Sequence, residues 1–184
     1  MKTGLIKLEA LYDFVRQHPE VPHRTKDRQI YQAYRFVVLE LLAGVPHEAG
    51  WYAWFRGSGV PSLVYVGQAH EGKTSSLYSR LREELLEEYV AFWVSVDRHA
   101  GDKLFAKYGW KYNQKRCERK RHSDAIIWIA SPGAKRGTLD VIENKLIWDL
   151  KPPGNDDQRD YSEIQCPGYK EVRALMETVI AKSG

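Results

Sequence analysis

The chain has few features of a secreted, zinc-binding or membrane protein. Only two of its 184 residues are cysteine, and Cys117 and Cys166 lack the CxxC spacing typical of a zinc site. Two cysteines give no disulfide framework, which favours a reducing, cytoplasmic location. No apolar run approaches the roughly 18 residues of a membrane span, and residues 1–4 do not lead into the apolar core of a signal peptide. We therefore expect a cytoplasmic protein that makes no membrane contact.

Basic residues, in contrast, are concentrated in one segment. The net charge of +4 and the pI of about 9.0 do not by themselves indicate nucleic-acid binding, because many basic proteins bind none. Between residues 101 and 122, only Asp102 and Glu118 oppose the basic side chains. These are Lys103, Lys107, Lys111, Lys115, Arg116, Arg119, Lys120 and Arg121. Five of them recur every four residues, so a helix would present them as one stripe. We predict contacts with a phosphate backbone, the alternative being a solvated helix face.

The most informative pattern lies between residues 50 and 67. Two short apolar runs, residues 51–55 and 63–66, are joined by the turn-rich residues 56–61. This pattern predicts a β-hairpin. Each strand carries one tyrosine, Tyr52 and Tyr65. Because side chains alternate along a strand, both hydroxyls can lie on the same face of the sheet.

Apolar spacing predicts helices over much of the remaining chain. We predict one helix over residues 5–17, a second capped by Asp27, a third that begins at Ser75 or Ser76, a fourth capped by Thr138, and a last over about 168–181. Residues 126–129 form an apolar run typical of a buried strand, whereas residues 91–96 fit either a short strand or the tail of the third helix. The expected fold is α/β (α+β), with a small, mostly antiparallel three-stranded sheet flanked by helices.

Four local patterns follow one another in a fixed order. They are Gly50-Trp51-Tyr52, Tyr65-Val66-Gly67, Leu77-Tyr78-Ser79-Arg80, and Glu143 followed by Lys151-Pro152 and Asn155. In this order and at these spacings, they resemble the core of the GIY-YIG nuclease superfamily, with Trp for Ile in the first triplet and Val for Ile in the second. The resemblance covers roughly residues 48–100 and 124–156. It implies a core over residues 48–156 with a basic insertion at about 89–123, an N-terminal helical extension over 1–47, and a C-terminal loop and helix over 157–184.

The residue types themselves suit the cutting of a phosphodiester. A phenol such as Tyr52 can orient a water or take its proton, provided that nearby charge lowers its pKa from about 10. The guanidinium of Arg80 can grip a phosphate oxygen. Glu143 offers the hard oxygen ligands that Mg²⁺ prefers. The amide of Asn155 can hold a tyrosine or a phosphate, and Gly67, like Gly50 in the first triplet, permits a close backbone approach.

The resemblance implies matching roles for these residues. It assigns activation of the attacking water to Tyr52, contact with the scissile phosphate to Arg80, and one Mg²⁺ or Mn²⁺ ion to Glu143, with Tyr65 and Asn155 in support. Two positions depart from the family's pattern. Glu84 stands where many members have histidine, and Gln68 stands where excision-repair relatives have lysine. The proton-handling partner is therefore unassigned, and His70 is the nearest substitute.

Each of these residues also has an ordinary structural interpretation. The tyrosines favour strands in any case, Arg80 and Arg82 could form a solvated helix face, and Asn155 could be a turn residue. Arg82 also competes for the role of Arg80 if the helix is rotated, and it is a candidate for DNA contact. Taken together, the patterns predict a metal-dependent endonuclease acting on duplex DNA, of restriction type, with homodimerisation as a hypothesis. The alternatives are a catalytically silent nucleic-acid-binding module and a nuclease for RNA or for branched or damaged DNA.

Overall fold

A four-stranded antiparallel sheet forms the centre of the molecule. The computed structural model describes residues 1–57, 62–97, 120, 122–155 and 160–183. The strands are β1 (Lys2–Lys7), β2 (Gly50–Arg56), β3 (Ser62–Ala69) and β4 (Ala125–Ala130), in the order β1-β4-β2-β3. The helices are α1 (Glu9–Gln17), α2 (Arg28–Leu41), α3 (Leu77–Glu87), α4 (Val90–Val96), α5 (Arg136–Leu150) and α6 (Tyr169–Ser183). The α/β class and the largely antiparallel sheet are thus confirmed.

The prediction of three strands is wrong, because residues 2–7 add a fourth. β1 pairs with the outer side of β4, and Leu5 lies opposite Ile127. Leu5 and Leu8 fit a helical spacing, but α1 begins only at Glu9. Pairing with β4 satisfies the backbone groups of residues 2–7 that face it, whereas the outer side of β4 would otherwise be exposed. The N-terminal segment therefore supplies a strand of the central sheet as well as α1 and α2.

The hairpin forms where the sequence predicts it. β2 and β3 pair with Tyr52 opposite Gly67 and Trp54 opposite Tyr65, and an irregularity follows between Trp54 and Phe55. Both tyrosines lie on the same side of the sheet, with their ring centroids 6.3 Å apart. The predicted sharing of one face is therefore correct.

Helices cover both faces of the sheet. Tyr52 and Trp54 pack into a core with α1, α2, α3 and α4, whereas Trp51 and Phe55 face a second core formed with α5 and α6. Because residues on alternate sides of β2 are buried, this strand is apolar throughout rather than alternating. The helix α5 lies against the edge strand β3.

The ends of the helices agree only partly with the predictions. Ser76 caps α3, since its hydroxyl accepts a hydrogen bond from the backbone N–H of Ser79. Thr138 does not cap α5, which begins two residues earlier and has Lys135 at its N-cap position. Residues 90–96 are the helix α4 rather than a strand. In the described part of the chain, no helix has both the length and the apolar character needed to cross a bilayer.

Candidate active site

Four of the predicted site residues line a single cleft. The cleft has a volume of about 390 Å³ and is bordered by Tyr52, Tyr65, Arg80 and Glu143. Two of these side chains come from the hairpin, one from the first turn of α3, and one from α5. Although α5 packs on the opposite face of the sheet from α3, β3 is an edge strand, so the carboxyl of Glu143 reaches the cleft at that edge. The chain therefore brings the two phenols, the guanidinium of Arg80 and the carboxyl of Glu143 together, and Glu83 borders the same cleft.

Gly67 makes room for the ring of Tyr52. A Cβ atom at position 67 would lie 2.3 Å from Cζ of Tyr52 and 2.4 Å from its hydroxyl oxygen. Any other residue would push the phenol away from β3, because real side chains do not tolerate such contacts. Gly50 has a comparable restriction, since a Cβ there would lie 2.0 Å from the carbonyl oxygen of Ile129. The absence of a side chain at Gly67 thus allows the Tyr52 ring to lie against the backbone of β3.

The hydroxyl of Tyr52 donates a hydrogen bond to Glu84, a residue to which no role was assigned from the sequence. The distance from the hydroxyl to Oε1 of Glu84 is 2.5 Å, and the pair is fully buried. The second carboxylate oxygen, Oε2, accepts hydrogen bonds from Trp54 Nε1 at 3.2 Å and from Lys120 Nζ at 2.7 Å. Arg80 Nε lies 3.5 Å from Oε1. Glu84 therefore accepts three hydrogen bonds and lies within ion-pair distance of Arg80, as suits an ionised carboxylate.

Lys120 completes this buried charge cluster. Only 4% of the residue is exposed, and Nζ also lies 3.0 Å from Glu88. The ammonium sits 4.5 Å from the centroid of the Tyr65 ring and 5.1 Å from that of Trp54, within range of a cation–π contact. Lys120 was predicted to contact DNA, and that prediction is wrong, because a side chain held between two buried carboxylates cannot reach a phosphate backbone.

The protonation states in this cluster follow from the balance of burial and charge. Burial alone would raise the pKa of Glu84, but the adjacent Lys120 outweighs it and lowers the pKa. Burial opposes the charge of Lys120, and Glu84 and Glu88 nevertheless raise its pKa. The pKa of Tyr52 is raised well above its ordinary value, first by burial and then by the Glu84 carboxylate. The protein's own groups therefore do not provide the lowering of the Tyr52 pKa that a phenolate base would need: the phenol is neutral and points its proton at Glu84.

Burial and neighbouring charge set the protonation of Glu143. Burial raises its pKa to about 7, assisted by the charge of Asp140 and opposed by Gln68 and Arg80. Gln68 Nε2 donates to Asp140 Oδ1, and the amide oxygen Oε1 of Gln68 is buried without a hydrogen-bond partner. A hard cation beside Glu143 would favour its ionised form and satisfy that oxygen, directly or through a bound water. The donor set therefore fits Mg²⁺ or Mn²⁺.

The described residues of this cleft do not supply a complete set of protein ligands for a metal ion. Within the described ranges, no group of three or more His, Cys, Asp or Glu side chains could hold a metal ion. Mg²⁺ usually keeps several waters and is bound through one or two carboxylates together with substrate phosphates. The carboxyl of Glu143 and the neighbouring amide oxygen of Gln68 are consistent with that mode and inconsistent with a structural zinc site.

Asn155 supports β3 and does not enter the cleft. Its side-chain oxygen accepts from the backbone N–H of Val66, and its amide nitrogen donates to the carbonyl of Val66, both at 2.8 Å. The backbone N–H of Gly154 donates to the carbonyl of Val64 at 2.7 Å. The amide of Asn155 therefore pairs with a strand, and the expectation that it holds a tyrosine or a phosphate is wrong.

Of the remaining residues predicted to contact nucleic acid, the structure describes Arg82 alone. Lys103, Lys107, Lys111, Lys115, Arg116, Arg119 and Arg121 lie outside the described residues. Arg82 is half-buried and does not border the cleft. It lies near enough to Tyr31 on α2 to affect that phenol's pKa. Arg80, rather than Arg82, is thus the arginine that α3 directs into the site.

Sequence reasoning missed the contributions of Glu84, Lys120 and Gln68. The position of Glu84 four residues after Arg80 places both on one side of α3, which was a usable signal. The partner Lys120 is 36 positions away from Glu84, and nothing local indicated the pairing. His70 does border the cleft, and its Nδ1 is buried without a hydrogen-bond partner.

Compared with models of protein families, with curated proteins and with solved structures, the chain matches none.

Proposed function

We propose that this protein is a divalent-metal-dependent endonuclease that hydrolyses phosphodiester bonds of DNA, similar in its site to the GIY-YIG nucleases. One observation carries the proposal: Tyr52, Tyr65, Arg80 and Glu143 come from separate parts of the chain and border the same cleft. Phenol, guanidinium and carboxyl groups in one cleft match the three needs of phosphodiester hydrolysis. These are a group to handle the attacking water, a cation for the phosphate and a ligand for a metal.

Each side chain has a task that its surroundings suit. Tyr52 donates its only proton to Glu84 and lies beside Arg80, so its oxygen keeps a lone pair to accept a hydrogen bond from a water in the cleft. Arg80 remains cationic, since Tyr52 and Glu84 raise its pKa against the effect of burial. It is therefore able to bind a phosphate oxygen and to stabilise developing negative charge. When bound, the metal would supply Lewis-acid stabilisation of charge on phosphate oxygens, and Glu143 with Gln68 would hold it.

Tyr65, on the hairpin, and Asn155, in the segment after α5, support this arrangement. The ring of Tyr65 covers the buried ammonium of Lys120 and borders the cleft. Asn155 pairs with the Val66 backbone between the two residues that flank it, Tyr65 and Gly67. A shift of β3 would therefore move the phenol of Tyr65 and the contact of Gly67 with Tyr52 together. We place Asn155 among the positioning residues.

Duplex DNA is the proposed substrate, with restriction-type cleavage by a homodimer as the finer form of the proposal. Cleavage of both strands requires two active sites, and two copies of the chain would supply them. RNA and branched or damaged DNA are the alternative substrates. Supercoiled plasmid, an RNA duplex and a branched DNA, each offered with Mg²⁺, distinguish these cases by which of them is cut.

The second candidate is a nucleic-acid-binding module without catalytic activity. The raised pKa of Tyr52 favours it, because a neutral phenol is a poor base. The two candidates make different predictions for Glu143→Ala. A nuclease loses cleavage and largely keeps DNA binding, whereas a binding module shows no cleavage in either form.

The test is incubation of the purified protein with supercoiled plasmid and Mg²⁺, with EDTA as the metal-free control. We expect cleavage by the wild type, none in EDTA, and none by Glu143→Ala. The matched control is Glu171→Ala, which removes an exposed glutamate from α6 and leaves cleavage unchanged. Discrete fragments would indicate sequence specificity, and nicked circles would indicate single-strand cutting. Wild-type protein that cuts none of the three substrates, or Glu143→Ala that cuts as fast as wild type, would refute the proposal.

A further inference from the structure

The phenol that faces the cleft has a proton acceptor directly behind it. Tyr52 is 1% exposed, and its hydroxyl hydrogen is directed at Glu84 Oε1, 2.5 Å away. A tyrosine with a raised pKa cannot act as a phenolate at neutral pH. It can nevertheless accept a proton from water if it gives up its own proton in the same step. That exchange requires a second base, already hydrogen-bonded to the hydroxyl.

We propose that Glu84 is this second base, and that Tyr52 relays a proton from the attacking water to it. The inference rests on the proposed nuclease function. As the water oxygen forms its bond to phosphorus, one water O–H bond breaks and that proton moves to the Tyr52 oxygen. The original hydroxyl proton of Tyr52 moves to Glu84 Oε1. The bond from phosphorus to the leaving oxygen breaks with its electron pair, and that oxygen takes a proton from solvent. Tyr52 ends neutral, as it began, and Glu84 ends protonated.

The cluster around Glu84 is arranged to tolerate both of its protonation states. Before the transfer, Lys120 and Trp54 hold Oε2 and keep the carboxylate ionised despite its burial. After the transfer, Lys120 is still paired with Glu88 at 3.0 Å, so its buried ammonium is not left without a counter-charge. Oε1, the oxygen that receives the proton, is not the oxygen that Lys120 contacts. Lys120 and Trp54 thus hold Oε2, whereas Oε1, which lies 3.5 Å from Arg80 Nε, receives the proton.

Glu84 touches Tyr52 rather than the substrate, so it is a positioning residue whose effect passes through that phenol. This predicts a specific pattern in single-turnover cleavage. Glu84→Gln, which can accept the Tyr52 hydrogen bond but cannot take up its proton, should slow cleavage by about 100-fold or more. The Kd for DNA, measured in EDTA, should change less than threefold, because Glu84 does not border the cleft. Tyr52→Phe should be slowed similarly.

The decisive measurement is a double-mutant cycle. If Glu84 acts through the hydroxyl, Tyr52→Phe/Glu84→Gln cleaves no more slowly than Tyr52→Phe, because the relay is already absent. A merely structural role would instead multiply the two losses. Glu84→Asp provides the same test without removing the charge that faces Lys120. Because aspartate is one methylene shorter, Glu84→Asp should slow cleavage when Tyr52 is present. It should have no effect on cleavage in the Tyr52→Phe background.

Glu84→His adds a test of rescue by another base, since imidazole is able to take up a proton. It should cleave at least tenfold faster than Glu84→Gln. A Glu84→Gln variant that cleaves within fivefold of wild type, or losses that multiply in the double mutants, would overturn the relay and leave the nuclease proposal standing. Absence of cleavage by wild type would instead remove the proposed function, and the relay with it. Near-ultraviolet circular dichroism identifies any variant that has not folded, in which case the aspartate cycle decides.

Discussion

Lys120→Met removes a cation that lies between two buried carboxylates, and we expect it to destabilise the fold strongly. Lys120 Nζ is 2.7 Å from Glu84 and 3.0 Å from Glu88, and each of the three residues is 4% exposed. Removal of one partner from a buried pair costs about 3–5 kcal/mol, because a charge remains without compensation. Glu84 keeps its contacts with Arg80 and Trp54, so we expect the lower end, about 3 kcal/mol. For a chain of this size, that corresponds to a fall in Tm of about 6–12 °C.

The loss should depend on pH in a defined direction. Lys120 lowers the pKa of Glu84 against the effect of burial. A carboxyl with a depressed folded-state pKa stabilises the fold above its unfolded pKa, about 4.3, and that contribution is lost as the pH falls through the folded-state pKa. In Lys120→Met the carboxyls are expected to have raised pKa values and to take up protons as the pH falls. The variant should therefore lose less stability at pH 5 than at pH 7.

Thermal unfolding followed by circular dichroism at both pH values measures this effect. The matched control is Lys2→Met, which removes an exposed lysine 3.9 Å from Glu48 and should change the stability by less than about 1 kcal/mol. A fall in Tm of under about 2 °C for Lys120→Met at pH 7, or an equal fall at the two pH values, would refute the reasoning.

Two further predictions concern the cleft itself. Gly67→Ala places a Cβ atom 2.3 Å from the Tyr52 ring. We therefore expect the free energy of unfolding to fall by about 1–3 kcal/mol and cleavage to be impaired. The control is Gly137→Ala, where a Cβ meets nothing within 4 Å, and it should not destabilise the fold. Equal unfolding midpoints in urea for the two variants would contradict this account. Glu143 has a folded-state pKa of about 7, raised above 4.5, so the metal-free protein loses stability as the pH rises from about 4.5 to about 7 and keeps that loss at higher pH. Glu143→Gln in EDTA should therefore gain on the order of 3 kcal/mol at pH 8, and nothing at pH 4. A gain that does not grow with pH would show that the carboxyl is not buried as described.

Local patterns predicted the elements that form the site. The turn-rich residues 56–61 predicted the hairpin, and the strand period placed Tyr52 and Tyr65 on one face. Ser76 was among the two residues predicted to begin α3, and the helical spacing after it directs Arg80 into the cleft. These features depend on residues that are close together in the chain, so the sequence alone is enough to predict most of them.

Long-range pairing explains what the sequence did not predict. β1 was missed because Leu5 fits a helical spacing, and only the open side of β4, more than a hundred residues later, makes it a strand. Lys120 was grouped with solvent-facing basic residues, although two glutamates on α3 draw it into the core. Apolar periodicity does not predict such contacts. In the sequence, the residues of a buried ion pair cannot be distinguished from charged surface residues, because they become neighbours only in the folded protein.

The pairing of Asn155 with the backbone of Val66 has a consequence for self-association. An unpaired strand at the border of a sheet is a template on which another chain can continue the hydrogen-bonded ladder. On β3, the outward backbone groups of Val66 are occupied by Asn155, and the carbonyl of Val64 by the N–H of Gly154. Two copies therefore cannot merge their sheets across this stretch, and an assembly that brings two clefts to one duplex has to be built from other surfaces.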